Sequence, residues 1–150
     1  MQHKEEYVTH FWPKQVFDLV ADIERYPEFL PWCKSARIIK KTKTYILAEI
    51  SIYFAPFSYK YTSKVKFETP KTKSSTCGIK IELVEGPFDR LNNTWEFKRD
   101  KGATIVKFAI EFQASSSVLN KMLELMFDQA AHKIITAFQA RAEAIYNSKS

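Results

Sequence analysis

Between about residues 34 and 114, apolar and polar side chains alternate one for one. Ile46, Ala48, Ile50, Ile52 and Phe54 alternate with Leu47, Glu49, Ser51 and Tyr53. Tyr59, Tyr61, Val65 and Phe67 alternate with Lys60, Thr62, Lys64 and Lys66. Ile79, Ile81 and Leu83, then Trp95 and Phe97, then Val106, Phe108, Ile110 and Phe112 repeat the pattern. Successive side chains of a strand point to opposite faces, so this period of two predicts an antiparallel sheet with one buried and one solvated face. Turn-forming residues separate the runs: Ala55-Pro56, Thr69-Pro70-Lys71, Gly86-Pro87, Asn92-Asn93 and Asp100-Lys101-Gly102.

The ends of the chain read differently. Residues 4–11 predict a first strand. A helix follows with Pro13 at its first position, where a missing N–H is harmless, and Trp12 as a poor cap. Val16, Phe17, Leu19, Val20 and Ile23 give it an apolar face, and Pro27 is expected to end it. A short helical turn is expected through Glu28-Phe29-Leu30. The serines 115–117 can cap a final helix from about Val118 to Tyr146, roughly 42 Å long at 1.5 Å per residue. Leu119, Met122, Leu123, Met126, Phe127, Ala130, Ile134, Phe138 and Ile145 form its apolar stripe. The prediction is one α+β domain over residues 1–150. A curved antiparallel sheet of six to seven strands grips a long C-terminal helix, with two short helices after the first strand. The gap between such a sheet and its helix is a natural ligand site.

Composition adds little to the fold and more to the partners. Aromatic residues make up 15% of the 150, enough to fill a core or line an apolar cavity. The net charge of +6 favours anionic partners, either acidic lipid headgroups or nucleic acid. Cys33 and Cys77 form no CxxC pair and lie near no histidine at ligand spacing, which argues against zinc. No apolar run approaches the ~18 residues of a membrane-crossing helix and no apolar signal region opens the chain. The expected place is therefore the cytoplasm, with contact at the periphery of the inner membrane as a further option.

The segment Tyr26-Pro27-Glu28-Phe29-Leu30-Pro31-Trp32-Cys33 resembles a signature of the coenzyme Q-binding protein and ribosome-association toxin family, within the polyketide cyclase/START-like superfamily. Val84-Glu85-Gly86-Pro87-Phe88 with Leu91, Trp95 and Phe97 is similar to a second signature, and Ala137-Phe138, Arg141-Ala142 and Tyr146 to the family's last helix. The resemblance implies a helix-grip fold. It implies a bound polyprenyl quinone such as ubiquinone, or another lipid, carried in support of respiration or quinone biosynthesis. As the alternative to that main reading, it implies a toxin-like protein that binds the large ribosomal subunit and inhibits translation. A cyclase-like enzyme is a third option. No separate cofactor is implied.

Each candidate site has a plain structural alternative. Phe29, Leu30 and Trp32 form either the lip of a cavity or ordinary packing in a proline-stiffened passage. Gly86-Pro87 either swings Phe88 toward a ligand entrance or forms a bulge that helps the sheet curl. Ile52, Phe54, Tyr59, Tyr61, Trp95, Phe108, Ile110 and Phe112 on the strands, with Met122, Leu123, Met126 and Phe127 facing them from the last helix, are the expected cavity wall. A filled core needs the same residue types. Tyr59 and Tyr61 stand out because a buried hydroxyl seeks a partner, and a quinone carbonyl is one. Lys60, Lys64, Lys66, Lys80 and Lys107 are expected on the outer face, against lipid headgroups, ribosomal RNA phosphates or simply water. His3, His10 and His132 are scattered, and no nucleophile has a partner at catalytic spacing.

Overall fold

In a computed structural model the chain forms seven strands and three α-helices; residues 1–54 and 56–147 are described, without the side chains of Phe54 and Phe57. The Phe54 expectation and the turn at Ala55 therefore fall outside the described residues. The strands are β1 (Gln2–Thr9), β2 (Cys33–Lys41), β3 (Tyr45–Phe54), β4 (Phe57–Glu68), β5 (Cys77–Glu85), β6 (Phe88–Asp100) and β7 (Ala103–Ala114). They pair antiparallel throughout in the order β1-β7-β6-β5-β4-β3-β2. The expected helix-grip architecture is present. The inward row runs from Tyr7 through Val106 and Phe97 to Cys77, each opposite the next across a strand boundary.

Three elements fill the concave side: α1 (Pro13–Ala21), a 3₁₀ helix (Ile23–Glu28) and α3 (Phe127–Tyr146). Pro13 does open α1, with Trp12 as an extended N-cap whose N–H donates to Gln15 Oε1 at 2.8 Å. Val16, Phe17, Leu19 and Val20 are buried, and Phe17 meets Phe67 and Phe97 edge-on. The helix ends six residues earlier than Pro27 predicts. Asp22 leaves the helical region at φ −84°, ψ 68°, and the tighter 3₁₀ turn that follows buries Ile23 and accommodates Pro27. It also brings the Tyr26 hydroxyl back to donate to the Val20 carbonyl, one of the acceptors that a helix end leaves open.

The C-terminal helix is not continuous. α2 (Ser117–Glu124) is capped by Ser116, whose Oγ accepts from the Leu119 N–H. At Leu125–Met126 the Met126 amide bonds back to the Leu123 carbonyl only three residues away, and α3 starts afresh. That tighter bond bends the axis. The buried stripe of α3 is Ala131, Ile135, Phe138 and Ala142. Two alanines in it let the helix lie close to the sheet. Tyr146 closes the far end by donating to the Gln15 carbonyl at 2.7 Å. Near its start, His3 of β1 bonds to both Asp128 and Glu5, and Glu5 in turn bonds to His132, so a chain of four polar groups ties α3 to the edge strand.

Asn92-Asn93 is no turn. Both residues lie inside β6, which runs unbroken for 13 residues. Asn93 is on the inner face, and its amide is engaged at both ends: Nδ2 donates to the Ala109 carbonyl at 2.8 Å and Oδ1 accepts from Trp95 Nε1 at 3.1 Å. This bonding makes a polar, turn-favouring residue acceptable in a half-buried strand position.

Candidate functional site: a small apolar cavity under the C-terminal helix

Between the concave face and α3 lies a cavity of about 120 Å³. Leu30, Trp32, Ile52, Tyr61, Trp95 and Ile110, all expected from the sequence, line it. The bend after α1 brings Leu30 and Trp32 there; β3, β4, β6 and β7 supply the others. Phe138 and Ile134 form its ceiling from α3. Phe108 lies buried beside Trp95, with ring centres 4.8 Å apart. Phe29 packs edge-on against Phe138 and Tyr26, with the Arg141 guanidinium over its ring. The Tyr26–Cys33 passage thus serves as both packing and wall.

A second aromatic group sits toward α2. Phe88 is buried between Tyr59, Tyr61 and Phe112 at centroid distances of 4.9 to 5.7 Å, and Phe127 stacks on Phe112. Phe88 points inward as the plug of this cluster. Gly86 lies where the β4–β5 pairing slips between Thr62 and Ser63, so the bulge and the inward Phe88 occur together. The methionines do not follow the expectation. Met122 and Met126 are 48% and 52% exposed, Leu123 is half-buried, and α2 buries no residue. The kink turns α2 away from the cavity wall, so helical spacing carried through Leu125 puts these side chains on the wrong surface.

Polar groups in the wall are few. Trp95 and Asn93 satisfy each other, and Tyr26 bonds to Val20. The Tyr61 and Ser63 hydroxyls face the cavity, and neither has a hydrogen-bond partner among the described residues. Burial pushes the Tyr61 and Tyr26 phenols well above their usual range, so both remain protonated donors. Ser63 and Asn93 were missed by the sequence reading. Ser63 occupies an inward slot of an otherwise apolar alternation, and that polar interruption was the available signal.

Burial likewise pushes the Cys33 thiol, in the cavity wall, up to about 11. The folded state therefore holds a proton that the unfolded chain releases near pH 9. Stability is at its full value below about pH 9 and falls as pH rises toward 11. Cys77, pushed up to about 12, acts in the same direction. Urea midpoints at about pH 8 and pH 10.5 should show the loss, and Cys33→Ala should shrink it. An equal loss in the variant would remove Cys33 as its source.

The outer face carries a wider, open depression of about 700 Å³ across β1, β7, β6, β5 and β4. Its floor is Gly78, Thr94 and Ala109, and its rim mixes Lys4, Lys66, Lys80 and Lys107 with Glu6, Glu68 and Glu96. Of the expected outward lysines, Lys66, Lys80 and Lys107 line it, while Lys60 and Lys64 lie outside it; Lys60 and Lys80 lie near Glu49 and Glu82, and Lys64 covers the Tyr45 ring. Among the described residues no helix is long and apolar enough to cross a membrane.

A family model described as polyketide cyclase / dehydrase and lipid transport matches residues 10–139. The chain belongs to this family. Within the family it falls in the branch that holds the RatA and COQ10 proteins. It is 38% identical to a ribosome association toxin RatA of Rickettsia prowazekii, over 89% of this chain and 90% of that one. It is 25% identical to a mitochondrial coenzyme Q-binding protein COQ10 homolog B of Xenopus laevis, over 97% of this chain and 59% of that one. Among solved structures, an 18 kDa protein of Caulobacter crescentus is 34% identical with a TM-score of 0.75, covering 98% and 99% of the two chains. A START superfamily protein of Mycobacterium smegmatis shares the fold at 13% identity, with a TM-score of 0.76 and 96% and 98% coverage.

Proposed function

We propose that this chain is a binding module that associates with the large ribosomal subunit in the cytoplasm and lowers translation. The 38% identity to a ribosome association toxin, over nine-tenths of both chains, carries the reading. The size of the cavity supports it over bulk lipid carriage. An apolar cavity near 150 Å³ accepts one benzene-sized molecule. At about 120 Å³ this one takes a ring at most, with no room for a prenyl tail unless the Phe88 plug moves. In co-sedimentation the purified protein should travel with the large subunit, and less so as salt rises, because phosphate contacts release counterions. Protein left in the supernatant at low salt would end the proposal.

A second reading is favoured by one specific feature. Tyr61 and Ser63 offer unpartnered hydroxyls in an apolar cavity, as a quinone carbonyl or another single polar atom on an apolar ligand would require. Lipid extraction followed by mass spectrometry should then recover a quinone. Tyr61→Phe should weaken its binding by about tenfold, the worth of one hydrogen bond in a dry site. Unchanged binding would remove Tyr61 from the contact, and an empty extract that also ignores added quinone would remove the reading.

A further inference from the structure

The far end of the sheet from α2 carries a cation cluster that none of the above uses. There the β6–β7 turn, the start of α1 and the 69–76 loop converge on Trp12. The Arg99 guanidinium lies 4.0 Å from the centre of the indole and Lys73 Nζ lies 4.3 Å from it. Those two distances put the cations within roughly 8 Å of one another, inside one Debye length at physiological salt. They repel, yet neither has a carboxylate or hydrogen-bond partner among the described residues. Arg99 Nη1 is withdrawn from solvent with no acceptor, which leaves its desolvation uncompensated. The indole holds both side chains in place without neutralising either.

The surroundings keep the cluster positive. Lys71 and Lys101 flank it and are exposed. Of the nearby carboxylates, Asp18 is engaged by Lys14 at 2.6 Å, while Glu68 at the end of β4 and exposed Asp100 in the turn dilute the positive charge in part. The α1 N-terminus is not itself the anion site. Pro13 has no N–H, and the Lys14 amide already donates to the Lys73 carbonyl at 3.1 Å. That bond instead fixes the loop carrying Lys73 against the helix.

The geometry points to a docking site for the phosphodiester backbone of RNA, built on Arg99 and Lys73 with Trp12 as their platform. With Nη1 buried, the remaining N–H groups of the Arg99 guanidinium and the Lys73 ammonium, within roughly 8 Å of it, are the donors that suit phosphate oxygens. The 69–76 loop adds Thr72, Ser74 and Ser75, exposed or half-exposed hydroxyls that suit a polar, hydrated ligand. A bilayer is the poorer fit. Val118, Met122, Leu125 and Met126, four of the exposed apolar side chains, lie on and just after α2, at the opposite end of the 12-residue β7, about 36 Å away along the strand at 3.3 Å per residue, while Val8, opposite Ile105, is exposed at the cation end. As the contact surface for the ribosome, the site rests on the proposal above; as an RNA site it does not.

The test compares wild type with Arg99→Gln/Lys73→Gln and with Lys71→Gln/Lys73→Gln, the second pair being exposed side chains outside the core whose fold is checked by an unchanged melting temperature. Binding is measured to large ribosomal subunits, to a labelled single-stranded RNA of about 15 nucleotides, and to phosphatidylglycerol–phosphatidylcholine vesicles, each across a salt series. Arg99→Gln/Lys73→Gln should bind both RNA and subunits roughly tenfold more weakly, with the RNA salt slope reduced by about 1.4 for two lost phosphate contacts. Lys71→Gln/Lys73→Gln should show a smaller loss of the same kind. Variants that bind RNA and subunits like wild type, with equal slopes, would overturn the site and leave ribosome association standing. Wild type that ignores subunits yet binds RNA through Arg99 and Lys73 would uphold the site and end the ribosome reading. Losses confined to the vesicles would overturn RNA as the occupant.

Discussion

Phe138→Ala is expected to cost about 3–5 kcal/mol, the usual range for emptying a buried aromatic position. Phe138 is 3% exposed and lines the cavity from α3 together with Ile134. Its ring lies 5.2 Å from Trp95 on the sheet, 5.5 Å from Tyr26 and 5.1 Å from Phe29, each nearly edge-on. Truncation removes the apolar contact and three aromatic pairs at once, and it enlarges an existing cavity that the rigid sheet cannot collapse to fill. The melting temperature should fall by roughly 10 °C or more. Leu125→Ala is the matched control. Leu125 would continue an unbroken helix, yet it is 88% exposed at the kink, so the change should stay within about 0.5 kcal/mol. Similar losses in the two variants would mean that α2 and α3 form one gripping helix after all.

Gly86→Ala should be the next most damaging small change and should loosen the plug. A Cβ at Gly86 would come within 2.6 Å of Tyr61 Cβ and 3.3 Å of Tyr61 Cα. Those atoms belong to the backbone of β4 or are fixed to it, so the strand itself must give way, at about 1–3 kcal/mol. Moving β4 at Tyr61 also separates Tyr61 from Phe88, whose rings are 5.5 Å apart. The cavity should then open. Cys33, 5% exposed in its wall, should be alkylated by iodoacetamide several-fold faster than in wild type. Unchanged stability together with unchanged Cys33 protection would show that the β5–β6 turn yields freely and that Phe88 is not held by it.

Inward strand positions such as Ile52, Tyr61, Trp95 and Ile110 were readable because alternation in a strand is a local property that survives into the folded sheet. Pro13 and the serines 115–117, of which Ser116 is the cap, were readable as helix starts for the same reason: their effect is confined to one turn. Asn93 was misread because its amide is satisfied by the Ala109 carbonyl, 16 residues away, and by the Trp95 indole, a pairing that only strand register creates. Met122 and Met126 were misplaced because helical periodicity continues smoothly through Leu125, whereas the axis does not.

The order of strands and helices along the chain (though not the unbroken run of β6 or the break in the last helix), the inner and outer faces of the strands, and the apolar character of the interior were settled by the amino-acid sequence alone, since each follows from side-chain period and turn chemistry over a few neighbouring residues. The kink that detaches α2, the inward plug at Phe88, the cavity of about 120 Å³ and the meeting of Arg99 and Lys73 over Trp12 were decided only by the tertiary structure. Each depends on groups from distant parts of the chain packing against one another, and a volume or a pair of unneutralised cations exists only once those parts are brought together.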